Sequence, residues 1–230
     1  MEERENRKGP GVFYAVIGVA TLVVAIIGAT FAYFSVTVTN DAQNPIEGTT
    51  GQGAAGNLAL TVTKVSAGSG NLIPLAQNLM PNALSAAQQC IDSNGNTVCQ
   101  VYSIKIDNTG SSAYRVAGKL VLTSDAPNMK WEKLSTQSAQ ESTPVVHGVG
   151  EADSVAAGSV VTSELLQATT GTATYYVIVW LDETGKAQDD ETKTDGATDE
   201  DDTSFTGTVT FNAVDATGTA AGGLTATFSS

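Results

Sequence analysis

The chain has 230 residues, with 24 acidic and 11 basic side chains, a formal net charge of −13, one histidine and two cysteines. That balance excludes nucleic acid and anionic lipid headgroups as natural partners, because both are held by clustered Lys and Arg. The single histidine excludes zinc sites that need two histidines on one helix, and the abundance of Thr, Ser, Gly, Val and Ala suits strands and turns rather than helices.

Residues 11–34 read GVFYAVIGVATLVVAIIGATFAYF, 24 positions without a charge. A helix of about 20 apolar residues spans the roughly 30 Å hydrocarbon core of a bilayer. A buried helix of a soluble domain would keep one polar face, and this segment has none. The sequence therefore predicts an N-terminal hydrophobic helix that carries the rest of the chain out of the cytoplasm. Two fates stay open. Arg7 and Lys8 give the basic flank of a secretory signal, and Thr30-Phe31-Ala32 gives small residues at −3 and −1. Signal peptidase would then cut between Ala32 and Tyr33. The apolar run exceeds the usual 7–15 residues of a signal, so an uncleaved membrane anchor is the other reading. Either way the destination is the extracellular space or the cell surface.

The division that follows is 1–32 as signal or anchor, 33–56 as an N-terminal strand and linker, and 57–230 as a β-sandwich domain. Phe34, Val36 and Val38 alternate with Ser35, Thr37 and Thr39, the period of a strand. Residues 40–56 have no period and read as a loop. Leu58, Leu60 and Val62 alternate with Ala59, Thr61 and Thr63 in the next strand. Pro81-Asn82 starts a short helix through 83–89. Cys90 and Cys99 enclose IDSNGNTV, where Asn94-Gly95 predicts a two-residue type I′ hairpin turn. The hairpin sets the cysteines opposite one another, and an oxidising compartment closes them into a disulfide.

Residues 100–107 follow, with Tyr102, Ile104 and Ile106 inward, and Asn108-Thr109-Gly110 turns the chain. Val116, Gly118, Leu120 and Leu122 mark another strand, and 130–134, holding Trp131, a short one. Residues 135–153 are largely polar and read as a loop; 154–163 hold a strand. Residues 174–181, TYYVIVWL, are apolar on both faces, as a central strand covered on each side would be. Phe205, Val209 and Phe211 alternate with threonines, and Leu224, Ala226 and Phe228 form a last strand. Short strands separated by turn signals predict an all-β fold, an antiparallel jelly-roll-like sandwich.

No catalytic motif is present: HExxH, GxSxG, the P-loop and GxGxxG are all absent. The chain reads as a protein that is not an enzyme and needs no cofactor. His147, in PVVHGVG, reads as an incidental surface histidine. Residues 182–202 hold ten acids and two lysines. One reading is a solvated hairpin loop kept extended by self-repulsion. The other is a calcium site at Asp189, Asp190, Glu191, Asp199, Glu200, Asp201 and Asp202, since hard cations take carboxylate oxygens. The EF-hand pattern does not fit: with Gly196 as its glycine, Lys193 falls on a ligand position.

Three places resemble the camelysin / TasA family of secreted biofilm-matrix fibre proteins. GATFAYFS is similar to the end of that family's SipW-type signal peptides. QVYSIKIDNTG is similar to an early core strand there, and an alternating strand near the C-terminus follows a long hydrophilic loop. The resemblance implies a jelly-roll domain that polymerises into extracellular filaments by donor-strand exchange, with itself or other matrix proteins as partners. Phe34, Val36 and Val38 fill the donor role, with 40–56 as the linker that lets the strand leave its own domain. The alternative is a membrane-anchored monomeric surface domain that binds a ligand or calcium. A metallopeptidase activity ascribed to some members is not carried over, because the histidines are missing. The Cys90–Cys99 hairpin departs from fibre-forming members without cysteines.

Overall fold

The computed structural model describes residues 37–38, 46–49, 58–68, 71–155, 165–184 and 204–230. The apolar segment 11–34, the Ala32–Tyr33 junction, Phe34, Val36 and the acidic residues of 185–202 lie outside them, as do residues 156–163 of the strand expected at 154–163.

Two sheets face each other, and alternation decides which residues lie between them. In β3 (Leu58–Lys64), β4 (Gln100–Asn108) and β5 (Tyr114–Ser124) the apolar positions two apart are buried. β6 (Met129–Thr136) buries Met129 and Trp131. After the short strands β7 (Ala139–Gln140), β8 (Val146–Gly148), β9 (Ala152–Ser154) and β10 (Leu165–Leu166) come three long ones. These are β11 (Gly171–Leu181), β12 (Phe205–Asp215) and β13 (Ala220–Ser229). Two further strands precede β3: β1 (Thr37–Val38) and β2 (Ile46–Thr49).

Sheet A runs β1-β13-β12-β5-β10, with β9 also on β5; sheet B runs β2-β3-β4-β11-β6-β7, with β8 also on β6. The described pairings between strands are antiparallel except β1 on β13. In order of the described strands, the chain changes sheet between β1 and β2, β4 and β5, β5 and β6, β8 and β9, β10 and β11, and β11 and β12. The expected all-β sandwich is therefore present.

The main core lies between the sheets and includes Leu60, Ile104, Leu120, Trp131, Val179, Phe205 and Phe211. Two glycines shape it. Gly118 is the register partner of Phe211, and Gly207 of Phe228. Each ring lies over the bare backbone, so that an added Cβ would stand 2.3 Å from Phe211 and 2.2 Å from Phe228. Here glycine makes room for an aromatic neighbour, a use that outweighs its entropic cost in a strand.

A second cluster lies on the outer face of sheet B. Ile178 and Trp180 of β11, Leu134 of β6 and Val101 of β4 pack there under Leu75, Met80, Leu84, Cys90, Val98 and Cys99. The cover is the segment 71–99. It explains why β11 is apolar on both faces, as expected of a central strand: Val177, Val179 and Leu181 fill the main core and Ile178 and Trp180 the second.

Several local readings need correction. The helix lies earlier than 83–89: a 3₁₀ turn, Gln77–Leu79, runs into one α-turn, Met80–Ala83, and turns follow. The Cys hairpin does not use a type I′ turn. Gly95 has φ +90°, but Asn94 is not among the positive-φ residues. Gly95 N–H donates to Asp92 O at 3.1 Å, and Asp92 N–H to Asn96 O at 2.9 Å. That is a type I turn closed by a left-handed glycine, a three-residue loop. Asp92 selects it, because its carboxylate accepts from the N–H groups of Asn94 and Asn96 at 2.9 and 2.8 Å. Residues 40–56 contain β2, and 135–153 contain β7, β8 and the start of β9.

Candidate functional site

On one side of the sandwich both sheets end in strands from the N-terminal segment. β1 lies on β13 with Thr37 opposite Thr225 and Val38 opposite Ala226. β2 lies on β3, from Ile46 opposite Val62 to Thr49 opposite Ala59. β13 in turn lies against β3 and β2, so the two closures meet along one seam. Among the described residues, β1 pairs with two of the ten residues of β13. An edge strand presents unpaired N–H and C=O groups and templates pairing with another strand. Of the donor residues expected from sequence, Val38 is placed opposite Ala226; Phe34 and Val36 lie outside the described residues.

Aromatic rings hold this edge from beneath. Phe228 of β13 packs 4.1 Å, centroid to centroid, from Tyr102 of β4, and Phe205 stands edge-on to both rings at 6.2 and 6.4 Å. Tyr102 Oη donates to one of two acceptors, Gln100 Oε1 at 2.6 Å and Ser229 O at 2.9 Å. Burial pushes its phenol above the ordinary value. The last strand is thus tied to the centre of sheet B by packing of its Phe228 ring against Tyr102 and by a hydrogen-bond reach to Ser229.

Cys90 and Cys99 are joined, with their Cα atoms 4.8 Å apart. The hairpin partner of Cys90 is Val98, whose N–H donates to Cys90 O at 2.9 Å. Cys90 reaches Cys99 from a left-handed backbone, φ 67°, after Gln89 at φ 48°. The disulfide thus fastens the end of the helical segment to the residue just before β4, and so fastens the cover over the second cluster. Beside it is a cleft of about 150 Å³ lined by Val65, Gln89, Cys90, Gln137 and other uncharged side chains. It offers no acid–base pair.

His147 is not the incidental surface residue expected from sequence. It stands on β8, its side chain 14% exposed, stacked on Trp131 with centroids 4.4 Å apart. Its Nε2 lies 3.1 Å from Asp153 Oδ2 on β9. β8 belongs to sheet B and β9 to sheet A, so the pair bridges the sheets on the side away from β13.

Two buried polar residues escaped the sequence reading. Asn108, 1% exposed, shares the two hydrogens of Nδ2 among three acceptors in reach, Ser112 O, Leu166 O and Gln167 O, while its Oδ1 accepts from Gly110 N–H. It locks the β4–β5 turn to β10. Glu132 is fully buried on the outer face of β6. Its Oε1 accepts from Gln140 Nε2 at 2.6 Å, and its Oε2 has no hydrogen-bond partner. Burial raises its carboxyl above the ordinary range; the Gln140 bond lowers it and neighbouring Glu141 raises it further. Among the described residues no group of three or more His, Cys, Asp or Glu side chains could hold a metal ion. The residues of the calcium reading, Asp189 to Asp202, lie outside them. No described helix is long and apolar enough to cross a membrane, a statement that does not reach residues 11–34.

No protein-family model matches the chain, and no curated protein matches it. Among solved structures, it is similar to a mutant of the CFA/I enterotoxigenic E. coli adhesin CfaE, at 9% identity and a TM-score of 0.18. The alignment covers 85% of this chain and 46% of that one, so the chain spans about half the length of the structure it matches. A likeness at that level carries no argument about fold or function.

Proposed function

We propose that this is an exported structural protein of the cell surface or biofilm matrix, built as a jelly-roll-like domain behind an N-terminal hydrophobic helix. Copies assemble into filaments by strand exchange. One observation supports the reading more than any other: the segment expected to act as donor, 33–39, contains β1, and β1 lies on the edge of β13. A strand held mainly by backbone bonds at an edge can be replaced by the same strand of another copy, since both make the same ladder. The exchange needs a free N-terminus near Tyr33, so processing after Ala32 precedes assembly and membrane retention prevents it.

The test removes residues 33–39 from the secreted protein. The domain stays folded, because the described core residues all lie at or beyond Leu58, and filaments disappear in negative-stain electron microscopy. Unchanged filaments would sink strand exchange. N-terminal sequencing that returns Met1 favours the alternative, a membrane-anchored monomeric surface domain that binds a ligand or calcium.

A further inference from the structure

The turn enclosed by the two cysteines carries a chemistry of its own. Every asparagine of the chain except Asn94 is followed by a residue with a side chain; Asn94 is followed by Gly95. In an Asn-Gly pair the backbone nitrogen of the glycine can reach the side-chain amide carbon of the asparagine, because no Cβ stands in the way. The nitrogen loses its proton and bonds to Cγ, closing a five-membered succinimide ring. The bond from Cγ to the side-chain nitrogen breaks, and that nitrogen leaves as ammonia. Water then opens the ring on either side. Attack at the side-chain carbonyl gives aspartate. Attack at the backbone carbonyl gives isoaspartate, whose main chain runs through Cβ and Cγ and is longer by a CH₂ group. Nothing is oxidised or reduced, and water is the sole co-reactant.

The fold grants this pair access and also restrains it. Asn94 and Gly95 are both exposed. Beyond its chain neighbours, no atom lies within 4 Å of where a Cβ of Gly95 would stand. Asp92 supplies the restraint. Its backbone oxygen accepts from the Gly95 N–H, the group that must give up its proton, at 3.1 Å. Its Oδ1 accepts from the N–H groups of Asn94 and Asn96 at 2.9 and 2.8 Å, and its Oδ2 from Asn96 Nδ2 at 3.0 Å. The Asn96 N–H foremost holds this carboxyl below the ordinary range, so at neutral pH it is ionised and accepting. A carboxylate there also disfavours a deprotonated nitrogen nearby. The reaction therefore waits for the clasp to open.

We propose that Asn94 is a site of spontaneous modification, converted with loss of ammonia to aspartate and isoaspartate, and that the Asp92 clasp sets its rate. Either product loosens the turn. Aspartate places a second carboxylate beside Asp92, and isoaspartate lengthens a loop whose three residues fit these bonds. Cys90 and Cys99 lie outside the loop and stay joined, so the change is confined to the turn. The inference needs neither export nor strand exchange and stands apart from the reading above.

The test incubates the oxidised full-length protein in warm, mildly alkaline buffer. Peptide mapping follows the replacement of NH by O, and enzymatic isoaspartyl methylation reports the lengthened product. Asn94 converts before every other asparagine and yields both products. Asp92→Ala speeds the conversion at least about fivefold, because opening no longer breaks the bonds to its carboxylate. Should that variant lose cooperative unfolding, Asn96→Ala, which removes only the bond to Oδ2, carries the same test with an acceleration of about twofold. Gly95→Ala does not react over the same period. The proposal is overturned if another asparagine converts first, if no isoaspartate forms, if neither clasp variant reacts faster, or if Gly95→Ala reacts as fast as the unmodified protein.

Discussion

Replacing Gly207 by alanine adds one methyl group where the ring of Phe228 already lies. The new Cβ would stand 2.2 Å from Phe228 Cζ and 2.4 Å from Cε1, against a favourable carbon–carbon separation of about 3.5–4.0 Å. The ring must move by more than an ångström, and its neighbours resist. Tyr102 packs against it, tilted by 37°, at 4.1 Å, Phe205 stands edge-on at 6.4 Å, and the Tyr102 hydroxyl reaches Gln100 and Ser229. Overpacking a filled core costs about 1–3 kcal/mol. The opposite expectation is equally definite: glycine to alanine at a site with room stabilises by about 0.4–1 kcal/mol through the unfolded chain. The sign therefore decides. Thermal unfolding should show Gly207→Ala lowered by roughly 2–12 °C, at about 2–4 °C per kcal/mol for a chain of this size. Adding Phe228→Leu should recover part of the loss, with a coupling of about 0.5–3 kcal/mol. An unchanged or raised unfolding temperature, or strictly additive single variants, would refute the claim that this glycine exists to seat the ring.

Two further perturbations probe the outer face of sheet B. Burial raises the Glu132 carboxyl, so its contribution to stability is full below the unfolded carboxyl's pKa and is lost as pH rises through the higher folded value. Glu132→Gln should therefore flatten the stability profile above about pH 4.3 and stabilise the protein at pH 8 by about 1–3 kcal/mol, read from urea midpoints; a parallel profile refutes it. Replacing Cys90 and Cys99 by alanine should cost about 2–3 kcal/mol, the loop-closure value for a ring of this length. Trp180 lies in the cluster that the disulfide fastens, so its fluorescence should shift toward that of a wetted indole at lower urea than in the oxidised protein.

Alternation made β3, β4, β5, β12 and β13 legible, because seven to eleven residues repeat the period often enough to be seen, and β11 was legible as a run apolar on both faces. β7, β8 and β9 have two or three residues each and cannot show a period. They exist because β6 and β5 offer them a ladder, which is information in the tertiary structure alone. β2 is hidden for the same reason: IEGT has no strand signature, and β3 supplies the pairing. Glu132 shows the limit from the other side. A glutamate between lysines reads as solvated, and only the pairing of β6 with β8 and β11 and the bond from Gln140 on β7 enclose it. His147 went unread because its partners, Trp131 and Asp153, come from two different sheets.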